Sequence, residues 1–299
     1  MSSIDAFVVG ASFISSFSRA GLNLVDRYQL SSIRLCPIKT SYWNNSLPLL
    51  ISAPCILLAY SLLDIWQYML SVHIFFLATL LQVISYGFAI VFQRYKLLEV
   101  ALLTKVPDFL APLLLCIFGF ASGTLYFLCC TCLSLVFFCI SVKKTTILSS
   151  LPSILFISIT LLTQIIFSYL IFKDIFIEID FKKLLLISFA LLTWRFIFSL
   201  AVLLIHKYFY SDNYDKQRTN FQCTFVRCFL NLSTQFSFIY VMSSKSYIFV
   251  LPILNSTGLI GAALAHYLIG ERISSRDYLS LLLLFLLTNI SILYLLDVH

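Results

Sequence analysis

Charged side chains are scarce in this sequence, at 11% of its 299 residues, whereas hydrophobic residues make up 61%. Soluble domains carry about 25% charged residues and bury most of their apolar side chains in a core. A soluble protein of this length could not bury so much apolar surface. The composition therefore excludes a soluble globular protein and predicts that lipid surrounds most of the molecule.

Sequence signatures of catalysis, nucleotide binding and metal binding are also absent. The chain has no Walker loop, no HExxH, no GxSxG and no two CxxC pairs at zinc spacing. Most of the nine cysteines lie in apolar runs, such as Cys129, Cys130 and Cys132, where a thiol behaves as a small apolar side chain. We therefore expect no enzyme, no cofactor and no metal, and a driving force other than ATP.

The basic residues form no nucleic-acid-binding cluster, although the formal net charge is +7. Lys and Arg are scattered between apolar segments, and positive loops of this kind are typical of membrane proteins. We therefore expect a lipid bilayer among the partners and no nucleic acid.

Long apolar runs, by contrast, recur along the whole chain. A helix needs about 20 apolar residues to cross the hydrocarbon core, and a closed barrel would need short alternating strands instead. The sequence therefore predicts an all-α integral membrane protein with ten transmembrane helices. The predicted spans are residues 5–25, 46–64, 68–92, 97–118, 121–141, 150–172, 182–206, 222–243, 246–269 and 278–296. The first is interpreted as a membrane helix and not a cleaved signal peptide, because no positive charge precedes it. Aromatic residues at several predicted ends suggest interfacial belts: Tyr42, Trp43, Trp66, Tyr68, Tyr208 and Tyr210.

The ten predicted spans divide into two five-helix repeats, residues 1–145 and 146–299. Residues 101–114 read ALLTKVPDFLAPLL, and residues 251–264 read LPILNSTGLIGAAL, which aligns Lys105 with Asn255. Repeats with an odd number of helices have opposite orientations, as in many transporters with interrupted helices at the midplane. The sequence thus predicts inverted repeats whose fourth and ninth helices face each other across a cavity, with Lys105 and Asn255 at similar depth.

Residues 247–295 resemble the last two helices of the drug/metabolite transporter superfamily, EamA type. The resemblance rests on Gly270-Glu271, which follows a helix rich in small residues and precedes an apolar final helix. It implies a central cavity lined by helices one to four and six to nine, with helices five and ten packed to one side. The corresponding stretch of the first half, Phe118-Gly119-Phe120, has no glutamate.

Polar stripes on predicted helices supply the first candidate binding residues. The first helix carries Arg19 and Asn23, and the eighth carries Arg227 and Asn231, each pair four residues apart; the sixth carries Gln164. Residues at this spacing lie on one face, which in lipid should turn towards protein or water. A structural interpretation stays open, in which the arginines snorkel to the interface and the amides bond neighbouring helices.

Intramembrane charges supply further candidates. The fourth predicted helix contains Glu99, Lys105 and Asp108 close to Pro107 and Pro112. A charge at the bilayer centre costs at least about 2.5 kcal/mol, and proline leaves backbone carbonyls that a hydrated cavity can satisfy. Lys105 and Asp108 are predicted binding residues, and Glu99 and Asp108 are candidates for ion coupling. A purely structural ion pair is the alternative.

Arg195 in the seventh helix has no acidic partner on its own helix, so it should reach another helix, water or a ligand. With Asn255 it completes the candidate set, whose excess of cations predicts an anionic or zwitterionic metabolite as substrate. We therefore expect a secondary transporter in a plasma or inner membrane, working by alternating access; a homodimer is one arrangement that the sequence allows. Two alternatives stay open: a flippase or accessory subunit for lipid-linked intermediates, and a non-transporting structural membrane protein.

The orientation in the membrane is also left open. The loops after odd-numbered helices hold most of the basic residues, which places them in the cytoplasm and both termini outside. The family resemblance implies termini in the cytoplasm.

Overall fold

The computed structural model describes residues 6–105, 181–209, 220–243 and 253–296, with isolated positions between residues 132 and 163. All regular secondary structure in these ranges is helical. The predicted fifth and sixth spans, together with Asp108 and Gln164, lie outside the described residues apart from those isolated positions.

The first half contributes these helices: α1 Ala6–Arg27 with a π-helical turn at Tyr28–Ser32, α2 Pro37–Ala59, α3 Leu62–Met69, α4 Val72–Arg94 and α5 Leu97–Leu103. The second half contributes α6 Phe181–Phe209, α7 Phe221–Ser243, α8 Thr257–Leu264 with a π-helical turn at Ala265–Ile269, and α9 Ser275–Leu296. The bounds of α1, α4, α6, α7 and α9 agree with the predicted spans to within a few residues.

The predicted second span, 46–64, was wrong at both ends. Helix α2 begins at Pro37, in the first turn where proline is favoured, and it ends at Ala59. The polar run at the start of this helix resembles a loop in sequence, but Thr40, Asn44 and Asn45 are buried in the protein. Polar side chains that point into a bundle lower the local hydropathy as a loop does, so hydropathy alone misplaces the helix start.

Tyr42 and Trp43 consequently lie inside α2 and not, as the sequence had predicted, at a helix end. The Tyr42 ring lies 5.9 Å from that of Phe196, and the Trp43 ring lies 5.6 Å from that of Phe221. These rings therefore pack α2 against α6 and α7.

Three described segments are long and apolar enough to cross a bilayer: Ala6–Ser32, Val72–Arg94 and Phe181–Phe209. Helices α2 and α7 have 23 residues each but carry more polar residues. Many large apolar side chains are exposed, including Phe7, Leu58 and Leu63, as expected for surfaces that face lipid.

The helices pack into one bundle. Helix α1 contacts α7 and α8, α2 contacts α6 and α7, and α4 contacts α6. Helix α5 contacts α8 and α9 around a buried apolar cluster that includes Ala101, Leu259 and Leu284. The chain thus brings its first and second halves into contact along most of these helices.

Glycines let α8 approach its neighbours closely. A Cβ atom added at Gly258 would lie 3.2 Å from the Cβ of Ala101, and one at Gly261 would lie 3.2 Å from Leu97 Cδ2. The Cβ added at Gly261 would also lie 3.9 Å from the Cα of Ala20. Small residues at such crossings let the helix backbones approach closely. In lipid, where the hydrophobic effect does not drive helices together, van der Waals contacts of this kind stabilise their association.

We expect Gly261→Leu to destabilise the protein by about 1–3 kcal/mol, because the side chain would push α8 away from α1 and α5. The measurement is thermal unfolding in detergent. Gly10→Leu is the control, since a Cβ at Gly10 meets nothing within 4 Å and both variants replace a helical glycine. Equal losses of stability would contradict the proposed close packing.

Candidate functional site

A band of polar side chains is buried between the helices. Its members lie on α1, α2, α4, α6 and α7 or in the turn after α1: Ser12, Ser15, Ser16, Gln29, Thr40, Ser41, Asn44, Asn45, Gln82, Ser188, Ser199, Thr224, Arg227, Asn231 and Thr234. Burying polar groups is unfavourable unless they find partners. Their hydrogen bonds therefore show which parts of the band are structural and which parts are available to a ligand.

An ion pair joins α1 to α7. Both carboxylate oxygens of Asp26 accept hydrogen bonds from Arg227, one from Nε and one from Nη2 at 2.9 Å. The side chains of Asp26 and Arg227 are 17% and 8% exposed, so the pair is largely shielded from solvent. The sequence predicted Arg227 as a candidate but missed Asp26, which lies just beyond the predicted end of the first span.

One nitrogen of Arg227 is left over from this pairing. Its Nη1 is buried and has no hydrogen-bond partner among the described residues, and the same is true of Nδ2 of Asn231, one turn further along α7. The predicted polar stripe of the eighth span is therefore inside the bundle, as expected.

Arg195 lies near the middle of α6, and its Nε atom is also buried without an acceptor among the described residues. Within that part of the chain it forms no ion pair with a carboxylate. It lies within electrostatic range of Arg227 and Asp26. Arg195, Arg227 and Asn231 thus direct three unused N–H donors into the interior of the bundle.

A chain of amide hydrogen bonds lies beside Arg195. Asn45 Nδ2 donates to the backbone carbonyl of Arg195 at 3.4 Å and to Oε1 of Gln82 at 3.1 Å. Gln82 Nε2 in turn donates to Ser41 Oγ at 2.9 Å. This network ties α2, α4 and α6 together. Asn45 and Ser41 were not among the predicted candidates, because they precede the predicted start of the second span.

Lys105 and Asn255 are in direct contact at the junction of α5 and α8. The Nζ atom of Lys105 donates to the backbone carbonyl of Asn255 at 3.0 Å, and the side chain of Lys105 is buried. The 150-residue offset aligned these two positions in sequence. They are neighbours, however, and do not face each other across a cavity.

The remaining candidates among the described residues are Arg19, Asn23 and Glu99. The guanidinium of Arg19 lies 4.7 Å from the centroid of the Phe238 ring on α7, and Asn23 is partly buried on α1. Glu99 lies in the first turn of α5, where its Oε2 accepts from the backbone N–H of Lys96 at 3.0 Å. Glu99, which is half-buried, therefore caps the start of α5.

Glu271 of the Gly-Glu motif joins three parts of the chain. Its Oε1 accepts from Arg27 Nε at 2.8 Å, and its Oε2 accepts from the backbone N–H of Leu97 at 2.9 Å. Gly270 has a φ of +73°, a left-handed conformation that glycine adopts without strain, and it ends the turn so that Glu271 follows. We name this set of contacts the Glu271 clasp; the sequence analysis noted the motif but gave Glu271 no role.

An exposed ion pair lies near the opposite ends of the helices, where Lys182 Nζ is 2.8 Å from Asp64 Oδ2. Hydrogen bonds from Lys182 and from Ser61 hold the pKa of the Asp64 carboxyl below its usual value. This pair links α3 to α6 but is open to solvent.

Much of this site lies in a region that matches a known protein family. The profile of the EamA-like transporter family matches residues 181–292, a range that contains Arg195, Arg227, Asn231, Asn255 and Glu271. A search of curated proteins finds no match. The second half therefore carries an EamA-like transporter domain, which confirms the resemblance to the drug/metabolite transporter superfamily. The family consists of membrane transporters of small molecules.

We expect Asp26→Asn to lower the free energy of unfolding by about 3–5 kcal/mol, because it leaves the buried Arg227 without its counter-charge. Thermal or denaturant unfolding in detergent measures the change. Asp64→Asn is the matched control, and its effect should be much smaller because solvent screens the exposed pair with Lys182. Equal effects of the two variants would show that the Asp26–Arg227 pair is not shielded as described.

Proposed function

We propose that this chain, with its EamA-like transporter domain at residues 181–292, is a secondary transporter that moves a small anionic or zwitterionic metabolite by alternating access. One observation carries the proposal for the substrate. Arg195 Nε, Arg227 Nη1 and Asn231 Nδ2 are buried and have no acceptor among the described residues.

Unused buried donors are unfavourable by about 1–3 kcal/mol each, so they call for an acceptor that enters from outside. Arg195 adds a positive charge that no described carboxylate neutralises. A carboxylate or phosphate fits both requirements, because it accepts hydrogen bonds from arginine in a planar, charge-assisted geometry. The field of this charge is strongest where water is excluded.

A cationic substrate fits less well. It would need an unpaired carboxylate, whereas Asp26 and Glu271, two shielded carboxylates of the described residues, are each bonded to an arginine. Several buried oxygen atoms in the described residues also lack partners: Gln29 Oε1, Asn44 Oδ1, Tyr86 Oη, Ser188 Oγ and Thr234 Oγ1. Water or the ammonium group of a zwitterion can donate to such atoms, which supports a hydrated interior.

Repeated helix bounds support the proposed inverted repeat. Helices α2 and α6 end at Ala59 and Phe209, and α4 and α7 begin at Val72 and Phe221, so the offset is 150 residues for one pair and 149 for the other. The helix contacts show the same correspondence, with α2 equivalent to α6 and α4 equivalent to α7. The α4–α6 contact then corresponds to the α7–α2 contact, and the α2–α4 contact corresponds to the α6–α7 contact. All four contacts are present.

Two hydrogen bonds join residues at the same offset. Asn45 donates to the carbonyl of Arg195, and Lys105 donates to that of Asn255, each 150 residues further along the chain. Equivalent residues of two repeats meet where their pseudo-two-fold axis passes. These pairs therefore support an axis that crosses the bundle through the α2–α6 and α5–α8 contacts, with Arg195 close to it.

The driving force in this proposal is a solute gradient or exchange, since the sequence has no nucleotide-binding loop. The proposed repeats are residues 1–145 and 146–299, with ten membrane helices in total. Substrate binds near the axis and is exposed to one side at a time as the repeats exchange conformations.

We expect Arg195→Gln and Arg227→Gln to lower the transport efficiency for anionic solutes by about 10- to 100-fold, because each removes a charged hydrogen-bond donor worth about 1.5–3 kcal/mol. The measurement is flux into proteoliposomes with a panel of amino acids, carboxylates, phosphorylated metabolites and cations. Arg272→Gln is the control, because Arg272 is exposed in the link between α8 and α9.

Undiminished anion flux in both variants, or flux of cations alone, would refute the proposed substrate class. Flux of labelled lipid in place of soluble metabolites would favour a flippase, and no flux of any solute would favour a structural membrane protein.

A further inference from the structure

We propose that the Glu271 clasp is a gate that closes one side of the membrane. The inference rests on the proposed transport cycle and its inverted repeat. It assigns a gating role to Glu271 and Arg27.

The contacts of Glu271 connect the two halves of the chain. Both oxygens of this second-half carboxylate are bonded to first-half groups, namely Arg27 Nε and the backbone N–H of Leu97. Arg27 also donates from Nη1 to the carbonyl of Phe92 at the end of α4. The clasp therefore draws together the end of α1, the α4–α5 link and the α8–α9 link at one end of the bundle.

The clasp is shielded enough to hold its parts firmly. The side chains of Arg27 and Glu271 are 14% and 9% exposed, and each makes two hydrogen bonds. Breaking such a pair leaves two charges that must be rehydrated. Its opening therefore requires water to enter between the helix ends, which is the change expected when this side opens.

Symmetry distinguishes residue pairs that move from pairs that do not. When two repeats exchange conformations, the distance between any residue and its own equivalent is the same before and after. Positions 45 and 195, and likewise 105 and 255, which hydrogen bonds join here, therefore keep the same backbone separation in the two end states. Two residues that are not each other's equivalents behave differently. After the exchange, the distance between them becomes the distance that separated their two equivalents before it.

The clasp joins positions that are not equivalent, because Arg27 and Glu271 lie 244 residues apart in sequence. Their distance is therefore free to change between the two states. A second ion pair between the halves, Asp64–Lys182, lies near the opposite ends of the helices, but its side chains are 34% and 46% exposed. Solvent screens that pair, so the side that carries the clasp is held by the better shielded pair.

Distances between spin labels test the gate without any substrate. Cysteines replace Ser32 and Arg276, both exposed on either side of the clasp, in a protein in nanodiscs whose native cysteines are replaced. We expect Glu271→Gln and Arg27→Gln each to increase the fraction of long Ser32–Arg276 distances at least severalfold. Glu271→Gln keeps an oxygen that can accept from the Leu97 N–H. Arg27→Gln breaks the same ion pair by changing the other partner. The test therefore does not depend on the folding of a single variant.

A label pair at Leu57 and Lys207 is the internal control. Both positions are exposed and lie 150 residues apart, so their distance should not change. If the Ser32–Arg276 distances stay short while the melting temperature falls, the clasp is a static structural contact and the gate is refuted; an equal change in both label pairs refutes it as well. Flux assays test the proposed function separately, because the labels report opening whether or not a solute moves.

Discussion

Hydrocarbon offers no hydrogen-bond partner, and this one constraint organises the molecule. Every polar side chain within the bilayer must find its partner inside the protein or in water. Asp26 finds Arg227, Glu271 finds Arg27 and a backbone N–H, and Asn45 finds Gln82 and a carbonyl. Donors that find no partner among the described residues, on Arg195 and Asn231, are the groups on which the proposed ligand site rests.

The same constraint explains what could be predicted from the sequence. Helices that face lipid have long apolar runs, so α1, α4, α6 and α9 were located to within a few residues. Helix α2 was misplaced because Thr40, Asn44 and Asn45 face the interior, and hydropathy does not distinguish an interior polar residue from a loop. The positions of Arg195 and Asn231 inside the bundle were predicted because charge and amide groups stood out against apolar neighbours.

Pairings were beyond prediction, because they join distant parts of the chain. The partners of Arg227 and Glu271 lie 201 and 244 residues away in sequence, and no local pattern identifies them. The 150-residue offset aligned Lys105 with Asn255, but the prediction placed them on opposite sides of a cavity, whereas they are in direct contact. An alignment of two segments therefore relates positions without saying how far apart they lie.

The Asp26–Arg227 pair also has a consequence for synthesis of the protein. Arg227 follows Asp26 by 201 residues, which at about 5–20 residues per second is a delay of roughly 10–40 s. During that interval the first helix has emerged from the ribosome with a carboxylate whose counter-charge does not yet exist. The insertion machinery must therefore retain this helix, or leave its end at the aqueous interface, until α7 arrives. The Asp26–Arg227 contact therefore forms only after α7 has been made, although the N-terminal half of the bundle is synthesised first.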